Sequence, residues 1–280
     1  MSITAQDVKK LRDATDAPMM DCKKALEEAG GDMDRAKEIL REKGAAAGAK
    51  KADRSTKEGI AKVVVSEDGK TAAAIIVECE TDFVSRNDDF KSMVDGLVRG
   101  ILAAGKSGAD VEVDGKPISE HIADAVGRIR ENIQLRAADF ITASAGKLAA
   151  YNHHDGKWAS YVEYTGESIE AANHVAVHIV AFKPPFLKKD DVPQDVIKKE
   201  YDFQKKRALE EGKPENIAEN IAQGRVNKEF YQDQVLLEQL IYLDNKTKVS
   251  DYLAQNKGGD VLGYKLFAVG QSIDSEGEQE

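Results

Sequence analysis

Val63-Val64-Val65-Ser66-Glu67-Asp68-Gly69-Lys70-Thr71-Ala72-Ala73-Ala74-Ile75-Ile76-Val77 reads as a strand, an Asp-Gly turn and a second strand. Leu148-Ala149-Ala150-Tyr151-Asn152-His153-His154-Asp155-Gly156-Lys157-Trp158-Ala159-Ser160-Tyr161-Val162 repeats the pattern, with Gly156 standing where Gly69 stands. An apolar-striped helix follows each hairpin. The first carries Phe90, Met93, Val94, Leu97, Val98 and Ile101; the second carries Val175, Ile179 and Val180. Ile118 to Ile141 adds another helical stretch between the halves, and Leu262 to Val269 reads as a strand completing the second sheet. The fold class is therefore α+β, built from two duplicated α+β subdomains.

Two further units flank this pair. Residues 1–43 read as three short helices. Thr4 with Asp7 makes a capping-box-like start before Val8 and Leu11, and Pro18 suits the first turn of a second helix. That helix shows the stripe Met19, Cys22, Ala25, Leu26 and Ala29, which leaves Met20 off the stripe. Asp32 caps a third helix with Ala36, Ile39 and Leu40, stopped at Gly44. Gly44 to Ala52 is a linker or a continuing exposed helix. Between Pro193 and Gln232 two polar helices broken at Gly212-Lys213-Pro214 form an antiparallel hairpin. It has Val196, Tyr201, Ala208 and Leu209 on one side and Ile217, Ile221 and Val226 on the other. A short helix over Val249–Gln255 follows, and Ser272 to Glu280 is an acidic tail. The expected division is 1–52 for the N-terminal domain and linker, 53–145 for the first subdomain, and 146–280 for the second with hairpin 193–232.

The chain of 280 residues carries a net charge of −10, unevenly spread. Its first 57 residues hold 13 Lys/Arg against 11 Asp/Glu, and the rest hold 27 against 39. An acidic body argues against nucleic acid as the direct partner, since that binding depends on neutralising phosphates. No apolar run has membrane-spanning length, and no signal-peptide pattern opens the chain. Cys22 and Cys79 lack metal-ligand spacing, which points to reduced thiols and a cytoplasmic location.

Chemistry-bearing residues are few. His174 and His178 stand at i, i+4, a spacing that can share a metal, but Val175 occupies the position where a zinc hydrolase needs its Glu. His153 and His154 adjoin Asp155, and Glu131 and Glu163 offer carboxylates that nothing in the sequence pairs. No phosphate loop, dinucleotide fingerprint or nucleophile elbow is present. The expectation is no enzyme activity, no metal and no cofactor. Binding fits better. In Val77-Glu78-Cys79-Glu80-Thr81-Asp82-Phe83-Val84, a Phe beside an acid falls at a strand-to-helix junction, where an aromatic either caps its own core or is offered to a partner. The second copy has Thr165-Gly166-Glu167 there and no directly following Phe, so the fold itself does not require one.

These residues resemble a known family, the bacterial elongation factors Ts, guanine-nucleotide exchange factors for elongation factor Tu. Leu11-Arg12-Asp13-Ala14-Thr15-Asp16-Ala17-Pro18-Met19-Met20-Asp21-Cys22-Lys23-Lys24-Ala25-Leu26 is similar to its first signature, and Glu78 to Val84 to its second. Glu131-Asn132-Ile133, Tyr151-Asn152-His153, Lys183-Pro184 and Gly212-Lys213-Pro214 extend the match along essentially the whole chain. The resemblance implies a ubiquitin-associated-like N-terminal domain and a partner, elongation factor Tu, met in its GDP-bound and nucleotide-free states. It implies that Thr81, Asp82, Phe83 and Val84 disturb that partner's Mg²⁺ site, with Ile129, Glu131, Asn132 and His153 around the same contact. Arg12, Met19 and Met20 would touch the partner's nucleotide domain, and the second subdomain would brace another of its domains. The chain departs from the family pattern at Asp16-Ala17-Pro18, at Arg130 where a Gly is usual, and at Gln271-Ser272. Two other readings stand beside this one. One is a ubiquitin-associated-type adaptor binding through residues 1–52 alone; the other is a metal-dependent hydrolase using His153, His154, His174 and His178.

Overall fold

Glycines 69 and 156 set the architecture. Both turns adopt left-handed backbone, φ +71° and +76°, as an Asp-Gly hairpin requires. The computed structural model describes residues 3–15, 17–49 and 53–271, leaving aside the side chains of 45–49. Expectations for Asp16, for Lys50 to Ala52 and for the tail from Ser272 fall outside the described residues.

Three helices come first: α1 (Ala5–Thr15), α2 (Met19–Glu28) and α3 (Met33–Ala49). The Thr4–Asp7 cap is reciprocal: Asp7 accepts the Thr4 N–H at 3.1 Å and donates its own to the Thr4 hydroxyl at 3.2 Å. Asp32 caps α3 by accepting the N–H groups of Asp34 and Arg35. Val8, Leu11, Cys22, Leu26 and Ile39 form the small core. Two expectations are corrected here. α3 does not stop at Gly44 but continues, because Gly44 lies in helical backbone against Gly127 of a later helix and is needed for close approach. Met19 is 51% exposed, like Met20 at 62%, because Cys22, Ala25 and Leu26 already close the core beneath them.

The first sheet has the order β1 (Glu58–Val65), β2 (Thr71–Cys79), β5 (Gln134–Thr142), all antiparallel. Between β2 and β5 run α4 (Asp82–Arg86), α5 (Asp88–Ala104), a two-residue ribbon β3 (Glu112–Val113) and β4 (Lys116–Pro117), and α6 (Ile118–Ile129). The stretch 118–141 is thus not one helix: α6 ends at Arg130 and the chain turns into an edge strand. The second sheet, β6 (Lys147–Asn152), β7 (Trp158–Tyr164), β8 (Val261–Ala268), is its counterpart. Its outer face is covered by α7 (Ile169–Phe182).

The sheets pack face to face. Alternation along β2 sends Ala73, Ile75 and Val77 outward under α5 and α6, and Ala72, Ala74 and Ile76 inward against Leu148, Ala159 and Phe267 of the other sheet. The result is four layers, helix–sheet–sheet–helix. From α7 the chain passes to a hairpin of α8 (Gln194–Glu210) and α9 (Glu215–Arg225), then a π-helical turn over Val226–Phe230 and α10 (Tyr231–Gln234). α11 (Val249–Gln255) leads into β8. The hairpin seam is made of small residues, Ala208, Ala218 and Ala222, with Val226 below. Leu209 and Ile217, expected on that seam, are exposed instead, since Ala208, Ala218 and Ala222 fill it where the two helices approach most closely. Among the described residues no helix is long and apolar enough to cross a membrane.

Candidate functional site

The link from β2 to α5, Glu80 to Asn87, is longer than the matching link Thr165 to Ser168, and the extra chain is α4. In the second copy that link lies under the α11–β8 connection, with the N–H groups of Gly166, Glu167 and Ser168 donating to the carbonyls of Gly258 and Lys257. In the first copy no described backbone segment is bonded over α4 in this way. Asn87 ends α4 and caps α5, accepting from Asp89 and Phe90. On α4 the side chains divide: Val84 packs on the core beneath α5, while Phe83 projects into solvent, 84% exposed. An aromatic so fully exposed on a single-turn helix has no folding role. Beside it lies a recess of about 250 Å³ lined by Phe83, Val84, Asn87, Asp89, Arg128 and Ile129. The larger cleft, about 880 Å³, lies between the edge strands β5 and β8 and includes none of the residues expected at the site.

A carboxylate network fixes this junction. Glu131 accepts the N–H groups of Glu80 (3.1 Å) and Thr81 (3.0 Å) and the Thr81 hydroxyl (2.6 Å). In return Glu80 accepts the Asn132 N–H at 2.6 Å. Asn132 is buried and donates its amide to the Arg54 carbonyl at 2.7 Å. Behind it Glu78, 2% exposed, is satisfied by the Thr56 hydroxyl, Arg136 and the Gly270 N–H, each at 2.8 Å. The Cys79 thiol donates to the Thr81 carbonyl at 3.2 Å, and burial pushes it up to about 12, with Glu131 and Glu58 adding to the shift. Asp82 pairs with Arg86 one turn on, at 3.2 Å. Glu163, the other unpaired carboxylate of the sequence, anchors 144–146 in the same manner, accepting from Ser144, Ala145 and Gly146. Both glutamates are hydrogen-bonded anchors.

The loop carrying Glu131 also meets the N-terminal helices. Arg130 ends α6 with φ +65°, a left-handed conformation that costs a non-glycine residue about 1–2 kcal/mol. Its guanidinium pairs with Asp21 of α2, directly after Met19 and Met20. Arg41 pairs with Glu120 at 2.8 Å along the α3–α6 contact. A chain of neighbours therefore runs from the exposed Met pair through Asp21, Arg130, Glu131 and Thr81 to Phe83. Arg12 is exposed on α1, outside that chain of neighbours.

His153 lies in the β6–β7 turn with its Nδ1 2.9 Å from Asp155, and its ring is 4.2 Å from that of His154. The turn is bound to β1: Ala61 donates to the Gly156 carbonyl, and Lys157 reaches Glu58 at 2.7 Å. Since α4 also rests on β1, the turn and the Phe83 tip share one end of the molecule. His174 and His178 do not join them. His178 is fully buried, accepts the Tyr242 N–H at Nδ1 and so donates from Nε2 to Gln239 at 2.9 Å; His174 meets the Tyr252 hydroxyl. Each imidazole has a separate partner, and no three His, Cys, Asp or Glu side chains gather for a metal among the described residues.

The chain is similar to known proteins over most of its length. A family model described as "Elongation factor TS" matches residues 80–271. The chain is 40% identical to the elongation factor Ts of Aquifex aeolicus, covering 91% of this chain and 93% of that protein. It is 42% identical to that of Clostridium kluyveri, covering 99% and 95%, and 42% identical to that of Deinococcus deserti, covering 95% and 99%.

Proposed function

Because this chain belongs to the elongation factor Ts family of translation elongation factors, we propose that it binds elongation factor Tu carrying GDP and promotes GDP release, so that GTP rebinds. The observation that carries this reading is Phe83, fully presented on a short helix whose base is held by Glu131. Phe83 enters the nucleotide domain of the partner as a wedge, with Asp82 beside it near the Mg²⁺ site. In such GTPases Mg²⁺ bridges the phosphates and the P-loop hydroxyl, so disturbing its support weakens the whole phosphate clamp. Asp82 exchanges its Arg86 partner for the partner protein's groups on docking. The chain itself makes and breaks no covalent bond; the nucleotide and its metal belong to the partner.

Energy arithmetic limits what the wedge does alone. A ~10⁴-fold faster release needs about 5.5 kcal/mol off the barrier. Burying one Phe supplies only ~1.5–3 kcal/mol. The remainder comes from the surrounding surface: Ile129 in the recess, the His153 turn, and Arg12, Met19 and Met20 on the N-terminal helices. Asn132, expected at the contact, is buried behind it and supports the loop. Met side chains suit such an adaptable contact. Linkage makes the effect reciprocal, so GDP weakens this chain's binding as much as this chain weakens GDP binding.

The test is turnover. Substoichiometric chain added to elongation factor Tu loaded with labelled GDP, in excess GTP, empties many partner molecules per chain. Binding without faster release contradicts the proposal and leaves an adaptor.

A further inference from the structure

The second copy of the repeat shows how the strand-to-helix link is normally held: backbone N–H groups of 166–168 donate to backbone carbonyls of 257–258. Among the described residues the first copy has no such backbone partner. There a side chain, Glu131, takes the corresponding N–H groups of Glu80 and Thr81 together with the Thr81 hydroxyl. This matters because α4 cannot hold itself. Five residues fall far short of the length at which a helix is stable alone. Thr81 stands at the N-cap position, yet its hydroxyl is committed to Glu131 and makes no cap bond to α4. Of the two apolar side chains on α4, Val84 packs on the core and Phe83 stands in solvent. Val84 and the contact with β1 support α4 from beneath, and Asn87 ties its far end to α5, so the Glu131 carboxylate is what fixes the β2–α4 link at its near end.

We infer that Glu131 is a positioning residue for the wedge, fixing the direction of α4 and hence of Phe83 through Thr81 instead of touching the partner. This rests on the wedge reading above. The anchor is itself rigid: Asn132, the next residue, is buried and bonded to both Glu80 and Arg54, and Arg130, the preceding one, pairs with Asp21. Positioning of this kind acts on the maximal rate, since a misaimed tip still docks through the rest of the surface.

Two measurements on Glu131→Ala and Glu131→Gln test the inference, with Phe83→Ala as control. Amide hydrogen exchange on the free, full-length protein reads the anchor directly. Glu131→Ala speeds exchange at Glu80 and Thr81 by about tenfold or more, while Ile75 and Val77 in β2 keep their protection. Glu131→Gln, which retains one acceptor oxygen, falls between the two and serves if the Ala variant does not fold. Titration of fluorescent-GDP-loaded elongation factor Tu then separates aim from affinity. The maximal release rate falls about tenfold in Glu131→Ala, whereas the half-saturating concentration changes less than about twofold. Unchanged protection at Glu80 and Thr81 overturns the positioning role whatever the release rate. Lost protection with an unchanged maximal rate, or a loss confined to half-saturation, overturns it as well, the latter making Glu131 a contact residue. A full release rate for Phe83→Ala sinks the wedge reading instead, and the hydrogen-exchange result distinguishes the two failures.

Discussion

The carbonyl of Gly156 accepts the backbone N–H of Ala61 at 2.8 Å, tying the turn that bears His153 to the first strand of the opposite sheet. The duplicated counterpart is present too: the Gly69 carbonyl accepts the Leu148 N–H, also at 2.8 Å. Each hairpin turn therefore stitches its own sheet to the first strand of the other. Replacing Gly156 by Ala puts a side chain at φ +76° and costs about 1–2 kcal/mol. Denaturant unfolding reads this as a lower midpoint at unchanged slope. Gly156→Asn, which tolerates the left-handed region better, loses less.

The N-terminal helices dock through two glycines. A Cβ on Gly44 would stand 3.1 Å from the Gly127 Cα, so Gly44→Val pushes α3 away from α6. Amide exchange in α6 rises while β2 and β7 keep their protection. Equal protection throughout contradicts this account of the contact.

Asp21 and Arg130 form a partly exposed pair, worth no more than ~1 kcal/mol. Charge reversal at either position alone lowers stability by up to that amount, and the double reversal Asp21→Arg with Arg130→Asp restores most of it. Raising the salt concentration shrinks the difference between variants. Arg130→Gly has two opposing effects, releasing about 1–2 kcal/mol of left-handed strain while deleting a pair worth at most ~1 kcal/mol, so it is as stable as the parent or more stable by up to about 2 kcal/mol.

Burial pushes the His178 imidazole below its ordinary value, against the hydrogen bond to Gln239. The unfolded chain then binds a proton near pH ~6.5 while the folded chain does not. Stability from this group is fully present above that pH and is lost on acidification towards the lower folded value. Denaturation midpoints measured from pH 7 to pH 5 fall for the parent and fall less steeply for His178→Gln.

Cys79, pushed up to about 12, is almost wholly protonated at pH 8, with a thiolate fraction of roughly 10⁻⁴. Maleimide therefore labels it at the rate of unfolding, and much faster after denaturation. Rapid native-state labelling contradicts the burial of this junction.

What the residue pattern revealed depended on local signals. Asp68-Gly69 and Asp155-Gly156 announce their turns because only a special backbone fits there, and Gly212-Lys213-Pro214 separates the two hairpin helices for similar reasons. β5 was hidden because the helix before it ends at Arg130, which takes the left-handed position without the glycine that normally marks it. Met19 read as buried because helical spacing gives a face but not the depth of the core beneath it. The exposure of Phe83 was legible as one of two alternatives, since the duplicated hairpin showed the fold does not need it. The anchoring by Glu131 was not, because its hydrogen bonds join segments some fifty residues apart that nothing local connects.

The most direct measurement is stopped-flow release of fluorescent GDP from elongation factor Tu by the parent chain and by Phe83→Ala. The account predicts catalytic acceleration by the parent and a maximal rate at least about tenfold lower for the variant, in line with the ~1.5–3 kcal/mol of one buried Phe. Equal acceleration by both chains would contradict it.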